Sequence, residues 1–245
     1  MMERTRKDPY KIVSIIYNHI MKTIGYHEWG KYITSLKEFY APEAKTFLEI
    51  AAGSGKLSNY LGKVFPQIIL SDISLSMISQ SDKSFNRVCA DMKLLPFKTK
   101  FDFIYSSFDS INYLMNETNL YDYFSEINNI LSENGIFTFD AALENNSIKN
   151  ARRLNRKGKF KNILFAQNSV YDADKKIHFN KFKLKLENGE IFEEVHSQKI
   201  FDFNIYFEIS KRAGLSVIAC YDAFTFEDAN KDSERIQFIM KRNNA

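Results

Sequence analysis

Apolar positions along this chain change their period twice, and each change marks a new kind of element. From Tyr10 to Met21 the residues Ile12, Val13, Ile16, Tyr17, Ile20 and Met21 recur at the spacing of one helical face, and a second helix is expected over His27–Phe39. Beyond Pro42, short apolar runs alternate with helical ones. Strands are expected over Thr46–Ile50, Gln67–Ser71, Arg87–Ala90, Phe101–Ser106 and Ile136–Asp140, and helices over Lys56–Val64, Leu75–Ser81 and Leu120–Leu131. Pro66 ends the first of these helices and Glu133-Asn134-Gly135 the last. Continuous apolar strands separated by helices read as an α/β fold, a parallel sheet covered on both faces. From Ile163 to Phe201 the period becomes two, in NILFAQNSVY, KIHFNKFKLKL and EIFEEVHSQKIF, with Asn188-Gly189 between the last two as a hairpin signal. A helix over Ile205–Ala213 and strands over Ser216–Tyr221 and Ile236–Lys241 complete the sheet. Four segments follow: a helical cap (1–41), a ligand-binding core (42–145), a basic loop with an antiparallel β insertion serving as a substrate lid (146–201), and a closing helix and strand pair (202–245).

Composition changes this picture little. A chain of 245 residues suits one α/β domain with an insertion, and a net charge of +4 permits an anionic partner without demanding one. The charge is concentrated in Lys149–Lys161, where ARRLNRKGKFK lacks apolar periodicity and reads as a solvated loop or a contact to an anionic substrate. Cys89 and Cys220 sit in apolar strand-like runs, as buried reduced thiols of a cytosolic protein do. No apolar run reaches the ~18 residues that span a bilayer. The charged start MMERTRKD leads into an amphipathic segment, unlike a secretory signal. The expected setting is therefore cytoplasmic, away from membranes, as a monomer or homodimer.

Candidate chemistry lies at the strand ends, where α/β sheets bind ligands. Thr46–Asn59 reads TFLEIAAGSGKLSN: a strand, the carboxylate of Glu49, a Gly53-x-Gly55 turn and a helix start. Asp72 ends the next strand about 20 residues on, the interval of a ribose-binding acid. Asp91 and Met92 follow the third strand and SSFDSINYL the fourth. Taken singly, Gly-x-Gly is a weak signal, Asp72 could cap the following helix and Asp91 could be a turn residue. Their common register points to one site. Glu49 would repel a pyrophosphate, and Ser58 stands where a nicotinamide enzyme would carry a third glycine, so a cationic ligand with ribose hydroxyls fits better.

These motifs resemble those of class I S-adenosylmethionine (SAM)-dependent methyltransferases, of the small-molecule type that includes glycine and amino-sugar N-methyltransferases. EIAAGSG is similar to the family's first motif, although Ala51 stands where glycine is frequent, and ADMKLLPF to its acidic adenine-binding motif. FDFIYSSFDSINYL, GIFTFD and EEVHSQKIFDFNIYFEISKRAGL extend the resemblance over about residues 10–241. It implies a Rossmann-like, mostly parallel seven-stranded sheet and a SAM cofactor. It places Ala51 and Gly53 around the methionine moiety, Glu49 and Gly55 among the cofactor-binding residues, and Asp72 on the ribose. Ile73 would lie against the adenine, with Asp91 and Met92 on its edge, and Met77 would be a further cofactor-binding residue. Ser107 and Phe108 would lie near the methionine end, and Tyr17 would face the sulfonium as a binding and catalytic residue. Asn112 and Tyr113 would meet the substrate. His196 shares a strand face with Glu194 and Gln198, so it is the candidate base, with Gln198 beside it, or else a structural histidine. His178 reads as structural, and no Cys/His set suggests a metal. The expected activity is in-line methyl transfer to an amine or hydroxyl of a small molecule. An RNA methyltransferase and a non-catalytic SAM-binding protein are the alternatives, with nucleic acid disfavoured by the low net charge.

Overall fold

The computed structural model describes residues 8–243; the charged run 1–7 and residues 244–245 lie outside the described residues. The chain begins with a 3-10 turn (Val13–Ile15), a one-turn helix α1 (Tyr17–Ile20) and the long helix α2 (Tyr26–Tyr40). The spacing over Tyr10–Met21 predicts one continuous helix, which is instead broken. β-branched residues, weak helix formers, are frequent in this stretch: Ile12, Val13, Ile15, Ile16 and Ile20. Val13, Ile16 and Ile20 gain more by packing on Phe165, Phe182 and Leu184 of the insertion.

The core then alternates β1 (Phe47–Ile50), α3 (Ser58–Leu61), β2 (Ile69–Asp72), α4 (Leu75–Ile78), β3 (Asn86–Cys89), β4 (Phe101–Ser106), α5 (Glu117–Ile130) and β5 (Leu131–Ala142). After α6 (Glu144–Arg153) come the strands β6 (Arg156–Phe160), β7 (Ile163–Asp172), β8 (Ile177–Lys185) and β9 (Ile191–Lys199). Helix α7 (Phe203–Arg212) returns to β10 (Leu215–Asp222) and β11 (Arg235–Arg242). The main sheet has seven strands in the order β10-β11-β5-β4-β1-β2-β3, parallel except for β11, which is antiparallel to β10 and β5. This is the expected Rossmann-like sheet. Strand order reverses between β1 and β4, so a crevice opens beyond their carboxyl ends.

Both sheet faces are packed with aromatic rings. Phe47, Phe65, Phe103 and Tyr105 join Trp29, Ile33 and Leu36 of α2 on one side. Tyr123, Phe124, Phe137, Phe139, Tyr206 and Phe238 form the larger cluster on the other, with α5 and α7.

The insertion is a second, antiparallel sheet of four strands, β6-β7-β8-β9, not three. The basic run supplies the extra strand. Arg152 and Arg153 end α6, where the helix dipole favours cations. Lys157 and Lys159 of β6 then point to solvent while the strand backbone pairs with β7. The expected hairpin is present, with Gly189 at φ 88°. Two further expectations fail. Glu133-Asn134-Gly135 lies inside β5, in a register shift against Phe101–Phe103, because β5 already begins at Leu131. Cys89 is exposed and Cys220 half-buried, because β3 and β10 are the two edges of the sheet.

Candidate active site

Three left-handed residues turn the chain sharply after β1: Ala51 (φ 57°), Gly53 (φ 56°) and Gly55 (φ 69°). The turn is closed by Gly55 N donating to Ala52 O at 2.9 Å and by Ala52 N donating to Ser71 O at 3.0 Å. Gly53 N donates to Asp72 Oδ2 at 2.7 Å, and Ser74 N donates to Asp72 Oδ1 at 2.8 Å. Asp72 therefore clasps the turn to the end of β2; the cap of α4 is Ser74, whose hydroxyl accepts from Met77 N.

A cavity of about 310 Å³ lies over this turn. Ala51 and Gly53 form its floor, Asp72, Ile73 and Met77 one side, and Asp91 and Met92 the far end. Ser107 and Phe108 enter from the loop after β4, and Tyr17 descends from α1. Ten of the sequence-expected cofactor residues thus meet at one cavity. Glu49 and Gly55 do not line it. Glu49 is buried behind the turn, where it accepts hydrogen bonds from Ser58 Oγ and from Tyr105 OH. Gly55 is required by packing, since a Cβ there would meet Ser81 Cβ at 2.6 Å.

A second cavity, about 400 Å³, adjoins the first, and Tyr10, Tyr17, Phe108 and Tyr113 line both. The inner face of the insertion sheet, with Gln167, His178, Asn180, His196 and Gln198, forms one wall of it together with α6, Asp109 and Arg235, and apolar residues of the N-terminal segment and α2, among them Ile20, Ile24 and Trp29, form another. Phe108 and Asp109 hold consecutive left-handed conformations (φ 62° and 49°), a strain that clusters at working sites. Asp109 is fixed by Arg235 Nη2 at 2.6 Å and by Gln198 Nε2 at 2.5 Å, and its own N–H donates to Asp140 Oδ2 at 2.8 Å. Arg235 also bonds the buried Asp140 and lies 5.8 Å from the Trp29 ring centre.

His196 lines the second cavity and packs against two residues of the shared wall, Tyr10 and Tyr113. Its ring lies 4.2 Å from that of Tyr10, and its Nε2 is 2.7 Å from Glu194 Oε1. Glu194 is itself held by Ile12 N at 2.9 Å. Tyr10 OH and Tyr113 OH are 2.5 Å apart. His178, read from the sequence as structural, is buried and bonded to Ser169 Oγ at 2.6 Å from its Nε2, and it also lines the second cavity. For Asn112 the expectation of a substrate contact is corrected. It lines neither cavity and is fully buried, donating to Ala142 O at 3.1 Å and Lys199 O at 2.8 Å and accepting from Ala142 N at 3.0 Å. It ties the end of β5 to the end of β9. Sequence reasoning missed Tyr10, Asp109, Arg235 and Trp29; a signal existed only for Asp109, which lies within the loop after the fourth strand.

Residues 48–139 match the family model of a methyltransferase domain. Over the whole chain the protein is 25% identical across 246 residues to YqeM of Bacillus subtilis (strain 168), itself named only provisionally as a methyltransferase, covering 95% of this chain and 97% of that one. Residues 48–139 thus read as a methyltransferase domain, and the chain as a whole is similar to methyltransferases. Solved structures establish the same fold. A SAM-dependent methyltransferase from Clostridium acetobutylicum superposes with a TM-score of 0.79 at 21% identity, covering 96% of this chain and 98% of that one. The sugar N-methyltransferase KedS8 from Streptoalloteichus gives 0.74 at 14% identity, with 95% and 93% covered.

The electrostatics of the site suit SAM. Burial raises the Asp72 carboxyl to about 6, against the opposing hydrogen bonds from Ser74 and Gly53. Each of its oxygens retains a lone pair for a ribose hydroxyl. Ser107 Oγ is buried without a partner among the described residues, and Ser107 lines the first cavity. Burial raises Glu49 to about 7, opposed by Ser58 and Tyr105. It also pushes the phenols of Tyr10, Tyr17 and Tyr113 upward, so all three stay neutral and act as donors or π faces. Burial lowers His178, which is neutral at pH 7. Among the described residues no group of three or more His, Cys, Asp or Glu is placed to hold a metal, and no helix is long and apolar enough to cross a membrane.

Proposed function

We propose that the protein moves a methyl group from SAM to an amine or hydroxyl of a small polar molecule seated in the second cavity. The observation that carries this reading is the common wall of Tyr10, Tyr17, Phe108 and Tyr113, where the cavity over the glycine turn meets a second one that carries polar side chains on an otherwise apolar lining. SAM, when bound, supplies an electrophilic methyl on a sulfonium. Asp72 would hold the ribose, Asp91 and Met92 the adenine edge, and Ala51, Gly53 and Ser107 the methionine end. The aromatic wall would exclude water and present π faces where positive charge disperses during in-line substitution. Tyr17, neutral by burial, contributes a ring and a hydroxyl rather than a base.

His196 would take the acceptor's proton. Its Nε2–H donates to Glu194, leaving Nδ1 as the basic nitrogen, and the carboxylate steadies the cation that forms. Tyr113 and Gln198 would contact the acceptor. The insertion over 146–201 acts as the acceptor-bearing half of the site, and the likeness to a sugar N-methyltransferase supports a small polar acceptor. The test is methyl-labelled SAM incubated with a cell extract separated into metabolites, RNA and protein. Label is expected in the metabolite fraction; label confined to RNA, or in no fraction although SAM binds, overturns the reading. With the labelled metabolite in hand, His196→Ala should lower kcat about a hundredfold and leave SAM affinity unchanged.

A further inference from the structure

The second cavity holds two arginines in opposite company. Arg235 is neutralised twice, by Asp109 at 2.6 Å and by the buried Asp140. Arg156, on β6, has no carboxylate within ion-pair distance among the described residues. Its Nε donates to Gln167 Oε1 at 2.8 Å, and Gln167 Nε2 donates onward to Asn180 Oδ1 at 3.0 Å. That relay fixes the guanidinium by one edge. A guanidinium has five N–H donors, and those on the two terminal nitrogens of Arg156 meet no acceptor among the described residues.

The neighbours carry the same surplus. Asn180 spends its carbonyl on Gln167, and Asn146 spends its own on Asn150 Nδ2 at 2.7 Å, so both keep their amide hydrogens. Arg156, Asn180 and Asn146 line the second cavity and not the first. Burial lowers the Arg156 pKa with no opposing carboxylate to restore it, although an arginine stays charged at any working pH. A half-buried cation beside spare donors is costly unless an anion meets it. The terminal N–H fork matches the two oxygens of a carboxylate or phosphate.

We propose that Arg156, with Asn180 and Asn146, forms an oxyanion subsite, and that the methyl acceptor is a small molecule bearing a carboxylate or phosphate group. This rests on the second cavity being the acceptor site. The anion anchors the far part of the acceptor, and the methyl-accepting group is left facing the aromatic wall. The basic run noted in the sequence thereby divides, with Lys157 and Lys159 facing solvent and Arg156 turned inward.

The test uses the full-length protein saturated with S-adenosylhomocysteine, whose binding is measured first. Orthophosphate and acetate are then titrated separately at fixed ionic strength, following the side-chain nitrogen signals of Arg156, Arg235 and Asn180 by NMR. The Arg156 and Asn180 signals are expected to shift saturably with at least one probe while Arg235 stays still, and the tighter probe names the group. In Arg156→Gln the Asn180 response should need about tenfold more of that probe, while Arg156→Lys keeps part of it. No saturable shift, the same shift with chloride, or an equal shift at Arg235 overturns the subsite. If S-adenosylhomocysteine binds and Arg156 does not respond, the subsite alone fails; if it does not bind, the two-cavity reading fails with it.

Discussion

Asp72 and Glu49 are both buried carboxylates, and their surroundings give them different work. Asp72 faces the cavity and spends one lone pair of each oxygen on a backbone N–H. SAM hydroxyls would donate to its ionised form, so a carboxyl near 6 couples binding to pH. SAM affinity should be about tenfold weaker at pH 5 than at pH 7, and Asp72→Asn should flatten that dependence; titration calorimetry at both pH values reads it. Glu49 does not line the cavity and is raised from an ordinary 4.5 to about 7. A carboxyl raised by folding binds its proton more tightly in the native state than in the unfolded one. The penalty for ionising it is therefore complete above about pH 7 and absent below about pH 4.5. Glu49→Gln keeps an acceptor for Ser58 and Tyr105 and removes the charge. Its melting temperature should exceed that of the parent by a few degrees at pH 8, with the gain vanishing toward pH 4; no gain at pH 8 would contradict the assignment.

At the scale of elements, the glycine turn is held by packing as well as by conformation. Gly55→Ala meets both a left-handed φ of 69° and the Ser81 Cβ at 2.6 Å. It should cost about 1–3 kcal/mol, read by denaturant unfolding, and Gly55→Ala with Ser81→Gly should recover the part due to the clash. The strand ends of this region were legible because their spacing is local: the Gly-x-Gly turn and Asp72 belong to one βαβ unit. The helices were less so. Residues Lys56–Val64 read as a full helix, yet only Ser58–Leu61 is helical, since tertiary packing sets where such short segments end. The basic run hid both α6 and β6. Ser147 is the one buried residue of α6, so no apolar stripe announces the helix. Alternation in β6 is between Lys and Gly, Arg or Phe, and not between polar and apolar.

Across the whole molecule, the seven-stranded sheet and the cofactor cavity could be read from the chain because their residues lie near the strand tips in sequence order. The second cavity could not. Asp109 and Arg235 stand 126 residues apart and meet only because β11 inserts beside β5. Tyr10 and His196 meet because the broken N-terminal helix docks on the insertion sheet. Asn112 looked like a substrate contact from its loop, yet it is consumed by the β5–β9 junction that the sequence pattern does not reveal. The same junction sets the insertion over the crevice, and so sets one cavity against the other.

The central claim is that the acid at the tip of β2, clasped to the glycine turn, grips SAM. Calorimetric titration of SAM into the protein and into Asp72→Ala at pH 7.5 tests it most directly. The account predicts saturable binding that Asp72→Ala weakens by about 1–3 kcal/mol, or about 5- to 150-fold. No binding at millimolar SAM, or equal affinity in the two proteins, would contradict it.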